Sequence, residues 1–276
     1  MKKSLRDLAI TNIFALFVYY SSILLGWQAV SFIYIYQSMD EKIIAERIDH
    51  WLIFQPSIIG IGCLLTILFF LIKKSSNDKK NRFSKDIKKQ IYIQNFFLFF
   101  ISLNYLLFKI NYHLAVLELI AFLYGLLLLY RWGSVFFNAN IASWHHPTTH
   151  GTFFISAALS GCALLNLFGL LSFDNTGLQY LLLILLAFEL FILYARFQYL
   201  SSYSKDTVLI ARKLMGPQIL YFGLRIIIGI FMPAVFVLYS MLFSDGDLEG
   251  VSVLLLTGTL LERFIFIHTG RSGNRQ

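Results

Sequence analysis

The chain has 276 residues, 58% of them hydrophobic and 14% charged, with a net charge of +8 and a mean hydropathy of +0.69. A water-soluble domain carries charge at about 25% of positions, so there is too little polar surface here to cover a soluble globule. The cation excess by itself would fit nucleic acid, but lipid explains it more simply, because basic residues collect in the cytoplasmic joints of membrane proteins.

Apolar stretches of about 20 residues cross the hydrocarbon core as helices, and in lipid the backbone must satisfy its own hydrogen bonds. The hydropathy pattern predicts an all-α, polytopic bundle of about eight transmembrane helices, at 8–36, 51–73, 91–108, 112–130, 151–172, 178–200, 216–243 and 249–268. The first stretch is too long for the apolar core of a signal peptide and has no small-residue cleavage site, so it reads as a retained helix. The joint from Ser38 to His50 is polar but carries Ile43, Ile44 and Ile48 at helical spacing, which predicts a short amphipathic turn lying flat on the membrane. The third and fourth helices are separated only by Lys109–Asn111. No joint is long enough to fold alone, so residues 1–276 read as one integral membrane domain. No internal repeat is visible, and with it no sign of an inverted-repeat transporter plan.

Lys and Arg set the orientation. With the N-terminus inside, nineteen cations face the cytoplasm. They include Lys2, Lys3, Arg6, the run from Lys73 to Lys89, Arg131, Arg196, Lys205, Arg212, Lys213, Arg263, Arg271 and Arg275. Three, Lys42, Arg47 and Lys109, face out. The positive-inside rule therefore predicts both termini in the cytoplasm. The run Lys73–Lys89 reads first as a solvated topogenic loop and second as a surface for anionic headgroups.

Several side chains have chemistry to offer. Glu118, Glu189 and Arg225 stand inside spans, where an ionisable group is costly and a functional candidate by default. The competing reading is pairing between helices. Glu262 and Arg263 close the last span and read first as partners in inter-helix pairing or as interface anchors. His145, His146 and His150 cluster beside Trp144 before the fifth span. Histidine clusters bind metals, yet a single cluster with His50, His113 and His268 scattered elsewhere makes a poor histidine-box enzyme, and a polar interfacial loop is the commoner reading. His113 and His268 have no evident partner and read as interface residues. Cys63 and Cys162 both lie in apolar spans, which argues against a disulfide framework and against a Cys-ligated metal or iron–sulfur cluster. There is no G-x-x-x-x-G-K-[ST] loop to suggest ATP hydrolysis.

The segment Gly133–Leu165, GSVFFNANIASWHHPTTHGTFFISAALSGCALL, resembles the best-kept stretch of the dimethyl sulfoxide reductase membrane anchor subunit family. Ser134, Trp144, Thr149, Phe153, Phe154 and Gly161 match its order and spacing. So do Glu189-Leu190, Lys213-Leu214, Gly216-Pro217, Arg225, Pro233 and the closing LLERFIF from Leu260 to Phe266. The first half departs: the family's His-Leu-Gly motif, linked to quinol handling, is absent, Lys73–Asn81 stands in its place, and Ser84-Lys85-Asp86 is a shadow of its Ser-Arg-Glu. The resemblance implies an anchor in the bacterial cytoplasmic (inner) membrane that holds an iron–sulfur electron-transfer subunit and a molybdopterin catalytic subunit. Such an anchor binds menaquinol, passes electrons to the clusters in anaerobic respiration, and carries no haem or metal of its own. Remaining candidates for the quinol site are His145, His146, His150, Glu118 and Glu262, with Glu189, Arg225 and Arg263 as structural charges. From a different class, a secondary transporter or channel would place Glu118, Glu189 and Arg225 on a polar pathway.

The cation bias makes topology testable. Periplasmic reporters fused after Asp174 or Asp245 are expected to be active, and those fused at Ser76 or Ser204 silent; the reverse pattern refutes the N-in arrangement.

Overall fold

The computed structural model describes residues 2–36, 41–74, 82–110, 115–139, 141, 143–170, 176–216, 218–243 and 248–273. Expectations that fall on Ser38, Lys79, Lys80, Asn111, His113, Pro217 and Arg275 lie outside them. The helices are α1 (Lys2–Tyr36), α2 (Glu41–Lys74), α3 (Arg82–Lys109), α4 (Ala115–Phe137), α5 (Thr148–Leu167), α6 (Thr176–Ser202), α7 (Lys205–Met215), α8 (Ile219–Ile226), α9 (Met232–Phe243) and α10 (Glu249–Gly273), with a π-helical stretch, Ile227–Phe231, joining α8 to α9. Among the described residues there is no strand. Among these residues eight helical segments are long and apolar enough to cross a membrane, the seventh being α8, the π stretch and α9 together. This is a multi-pass, all-α membrane protein.

The expected spans are found, with different ends. The joint before the second span is not a separate flat turn. From Glu41 it is the first part of α2, because Ile44, Ile48 and Trp51 continue one helical face and bury Ile48 and Trp51. Likewise α3 starts at Arg82, with Ile87 and Ile91 buried four residues apart. Helix α7 was not expected, since its sequence is too polar to span. Thr207, Ile210, Ala211 and Leu214 are buried at i, i+3, i+4 and i+7, the stripe of an amphipathic helix. Ser204 starts it: its Oγ accepts from the Thr207 amide while the Thr207 hydroxyl accepts from the Ser204 amide, a reciprocal cap.

Helices α1, α5 and α10 form the centre. α1 packs most extensively on α5 and also meets α2, α4 and α10; α5 meets α10, α4 and α6. α3 closes one flank against α2 and α4, and α6 with α7, α8 and α9 closes the other. Lipid supplies no hydrophobic drive between helices, so close backbone approach and interhelical hydrogen bonds hold them. Gly26 of α1 lies on the backbone of Ala157 in α5, and Gly161 of α5 lies on the backbone of Gly26. Polar ties run beside this seam. The Gln94 Oε1 of α3 accepts from Ser21 Oγ of α1 at 2.7 Å and from Trp132 Nε1 of α4 at 3.1 Å. Trp27 Nε1 donates to Gln55 Oε1 of α2 at 2.6 Å, and Tyr20 donates to the Ile58 carbonyl at 2.6 Å. His268 is also partnered, contrary to its reading as an isolated interface residue: its Nε2 is 2.9 Å from Asn12 Oδ1, tying α10 to α1.

A β-carbon at Gly26 would fall on the Ala157 carbonyl, which is backbone and cannot swing away. Gly26→Val is therefore expected to lower stability by about 1–3 kcal/mol or more, read as earlier thermal unfolding in detergent. Gly60→Val, whose β-carbon would meet open space, is the control and should leave unfolding nearly unchanged.

Candidate functional site

Five charged residues of the second half of the chain, Glu189, Arg196, Arg225, Glu262 and Arg263, gather between α5, α6, α8 and α10. Isolated guanidinium in lipid is costly, and Arg225, 1% exposed, meets Glu189 of α6 through its Nη2. Glu118, another acid within a span, is elsewhere: it is buried at the start of α4 beside Tyr36, and neither of its oxygens has a well-formed hydrogen bond. Of the two readings of Glu262 and Arg263, the contacts fit pairing between helices and not anchoring at the interface. Both side chains are buried inside the bundle. Glu262 Oε2 accepts from Ser156 Oγ of α5 at 2.5 Å. Arg263 Nη1 is 4.0 Å from Glu262 Oε1, its Nη2 donates to the Thr152 carbonyl at 3.1 Å, and its guanidinium lies 4.0 Å over the Phe153 ring, a cation–π contact.

Arg196 completes the group; sequence reasoning counted it only among the cytoplasm-facing cations. It lies inside α6, seven residues and about two turns after Glu189, so both line the same cavity. Its Nη2 donates to the Ser143 carbonyl at 3.1 Å and its guanidinium stands 4.4 Å over Phe266. Thr152, Ser156 and Ser160 line the facing stripe of α5 at four-residue spacing; Ser160 reaches Thr259 at 3.4 Å. Both spacings were visible in the sequence once the two helices were paired. The cavity of about 50 Å³ has room for a few waters, at about 10–15 Å³ each, and not for a quinone ring. Phe197, Leu200, Leu214 and Phe222 line its end nearest α7.

An aromatic floor adjoins these charges. Phe136, Trp144, Phe153 and Phe266 pack with ring centroids 4.9 to 5.9 Å apart, in the offset and edge-on arrangements aromatic rings favour. Trp144 Nε1 donates to the Phe266 carbonyl at 2.9 Å, and Thr149 Oγ1 donates to the Trp144 carbonyl at 2.7 Å.

The three histidines do not converge. His145 stacks on Phe137 with its Nδ1 2.9 Å from the Phe137 carbonyl. His146 sits 2.6 Å from Thr148 Oγ1 and against Tyr199. Burial first, and then the Arg196 cation, hold His146 below its ordinary value, so its ring is uncharged at neutral pH. His150 turns towards α4: its Nε2 is 3.1 Å from Ser134 Oγ and its ring packs on Tyr130. Among the described residues no three His, Cys, Asp or Glu side chains form a group that would hold a metal. Behind Ser134 opens a second cavity, of about 470 Å³, between the start of α3 and the end of α4. Asp86, Lys89, Gln90, Arg131, Ser134 and Asn138 line it. That volume is within the range of about 300–1,000 Å³ of small-molecule sites.

Compared with known protein families, with curated proteins and with solved structures, the chain finds no match in any of the three.

The Arg225–Glu189 pair gives a sharp stability test. Removing one partner of a buried pair leaves an uncompensated charge and costs about 3–5 kcal/mol, whereas replacing both by apolar residues is often neutral. Glu189→Leu is expected to unfold early or fail to accumulate, and Glu189→Leu with Arg225→Leu to recover most of the loss in a detergent unfolding assay.

Proposed function

We propose that this chain is the membrane anchor of a dimethyl sulfoxide reductase-like molybdenum oxidoreductase. In this reading it holds an iron–sulfur subunit and a molybdopterin subunit at the bacterial cytoplasmic membrane and oxidises menaquinol. One observation supports the reading most. The residues that carry the resemblance are spread from Ser134 to Phe266, yet they gather around one seam: Trp144, Thr149, Phe153, Glu189, Arg225, Glu262, Arg263 and Phe266 share the aromatic floor and the charged cluster resting on it. Motifs that serve only as lipid-facing filler have no reason to meet.

The cavity at the ends of α3 and α4 suits the quinol ring better than the charged one, on volume. There the quinol hydroxyl would donate to Ser134 Oγ, and Ser134, turning its own proton away from the Tyr130 carbonyl, would donate to His150 Nε2, a relay across the 3.1 Å contact. A neutral imidazole is a suitable acceptor for such a proton. Oxidation releases two protons and two electrons, leaving menaquinone. The electrons go to the clusters of the partner subunit, and Lys89 and Arg131 would hold the charge that develops on the quinol oxygen. His145 and His146 point elsewhere and would take no part. Glu262 and Glu118 are set apart from this cavity.

The test uses the whole complex. The tagged chain, expressed with the subunits encoded beside it, is expected to copurify with an iron–sulfur protein and a molybdopterin protein and to oxidise a menaquinol analogue. His150→Gln should still assemble and lose about 100-fold or more in quinol oxidation, with His145→Gln close to wild type. Purification without either subunit, together with substrate-driven ion flux in vesicles, would instead favour a transporter built on the charged cluster.

A further inference from the structure

The charged cluster does not balance. Arg196, Arg225 and Arg263 stand around two acids: Glu189 is within the fields of Arg225 and Arg263, and Glu262 within those of Arg196 and Arg263. Arginine does not deprotonate in proteins. The cluster therefore carries at least one surplus positive charge, and protonating either glutamate only increases it. His146, beside Arg196, adds positive charge or none.

Donors are left over too. Arg225 spends Nη2 on Glu189, while its Nε and Nη1 have no acceptor although fully buried. Arg263 likewise leaves Nε and Nη1 without a hydrogen bond. Arg225 and Arg196 line the cavity of about 50 Å³ with Glu189, Glu262 and Thr152, and Arg263 stands directly behind Glu262. A buried donor left unpaired is costly, more so when charged, and a surplus charge in a low-dielectric interior is costlier still. Both deficits are removed by the same thing: one negative charge with oxygen acceptors, small enough for the cavity.

We propose that this cavity is a binding site for a single oxyanion group, a carboxylate or a phosphate, held by Arg225 and Arg196. The rest of the lining is mostly apolar, from Ile155, Ile192, Leu193 and Ile265, which suits an acyl-bearing headgroup as well as a free ion. The site is independent of the electron-transfer reading and of the crevice beside His150.

The full-length chain, purified in a neutral detergent and stripped of lipid, provides the test. In one arm sodium formate or inorganic phosphate is titrated at ionic strength fixed with a bulky sulfonate salt. In the other, phosphatidylglycerol is titrated against phosphatidylcholine. Both are followed by thermal unfolding and by native mass spectrometry. Stabilisation by formate or phosphate alone identifies a free anion; stabilisation by phosphatidylglycerol with a retained lipid mass identifies a headgroup. Arg196→Gln brings the cluster to balance and is expected to raise the midpoint concentration about tenfold or more, the loss of one charge-assisted contact. Glu262→Gln increases the surplus and is expected to lower it. Absence of any response in the wild type beyond that of the sulfonate salt or phosphatidylcholine overturns the proposal, as do midpoints that stay unchanged in both variants.

Discussion

A guanidinium cannot be left alone in hydrocarbon, and much of the second half of the bundle is arranged around that fact. Arg225 is carried on a helix whose other faces meet lipid, so it must turn inwards, and the nearest acid is Glu189 on α6. The pairing fixes the rotation of α8. It is possible only because Gly229, one turn further on, lies directly against Gly258 of α10 and leaves space for the guanidinium beside it. Arg263 meets the same demand with different means, a backbone carbonyl on α5 and the face of Phe153. The contacts that satisfy the two arginines are therefore also contacts that join α5, α6, α8 and α10.

The first half is held differently. α1 to α4 have few charges within the membrane and are tied by amides and hydroxyls, with Gln94 at the meeting point of α1, α3 and α4. Neutral ties of this kind contribute modestly, about 0.6 kcal/mol each on average between membrane helices, so close packing along the Gly26–Gly161 seam is needed as well. The aromatic floor lies where the two halves meet. Phe136 of α4 touches Trp144, Phe153 and Phe266, and the next residue, Phe137, bears His145 and packs on His150. The charged cavity and the crevice beside His150 are thus on opposite sides of one wall.

The eight spans were legible because lipid imposes a length and a composition on any helix that crosses it. Their ends were less so. Glu41 and Arg82 begin helices inside polar sequence, where hydropathy falls silent although the burial stripes of Ile48 and Ile87 continue. α7 was hidden by its polarity, even though Ser204 and Thr207 mark its start. Of the site, the ionisable residues were visible as costly groups, but which of them meet was not: Glu189 and Glu118 are equivalent in sequence, and only the rotation of α4 and α6 separates them. Arg196 was legible as a cation near the end of a span, but nothing in its sequence position showed that it joins this cluster. The histidines were legible as neighbours, but their separate directions were not, since proximity in sequence does not give a common direction.

Pro233 has no amide hydrogen to give to the carbonyl of Gly229, and the five residues before Met232 wind as a π-helix. Such a turn is geometrically an α-helix with one residue added. Its presence sets the phase between the two halves of the seventh span: Arg225 on one side of the insertion faces the charged cluster, and Val237 and Ser240 on the other are buried against the bundle. The wide turn takes up the added residue within one revolution. A residue added or lost elsewhere in the span, with no such turn to absorb it, would leave its hydrophobicity and nearly its length untouched, yet rotate one half by about 100° against the other, so that either the arginine or the packing face of α9 turned to lipid. In this span residue count is under tighter constraint than residue identity, and an alignment that places a gap there would be describing a different membrane protein.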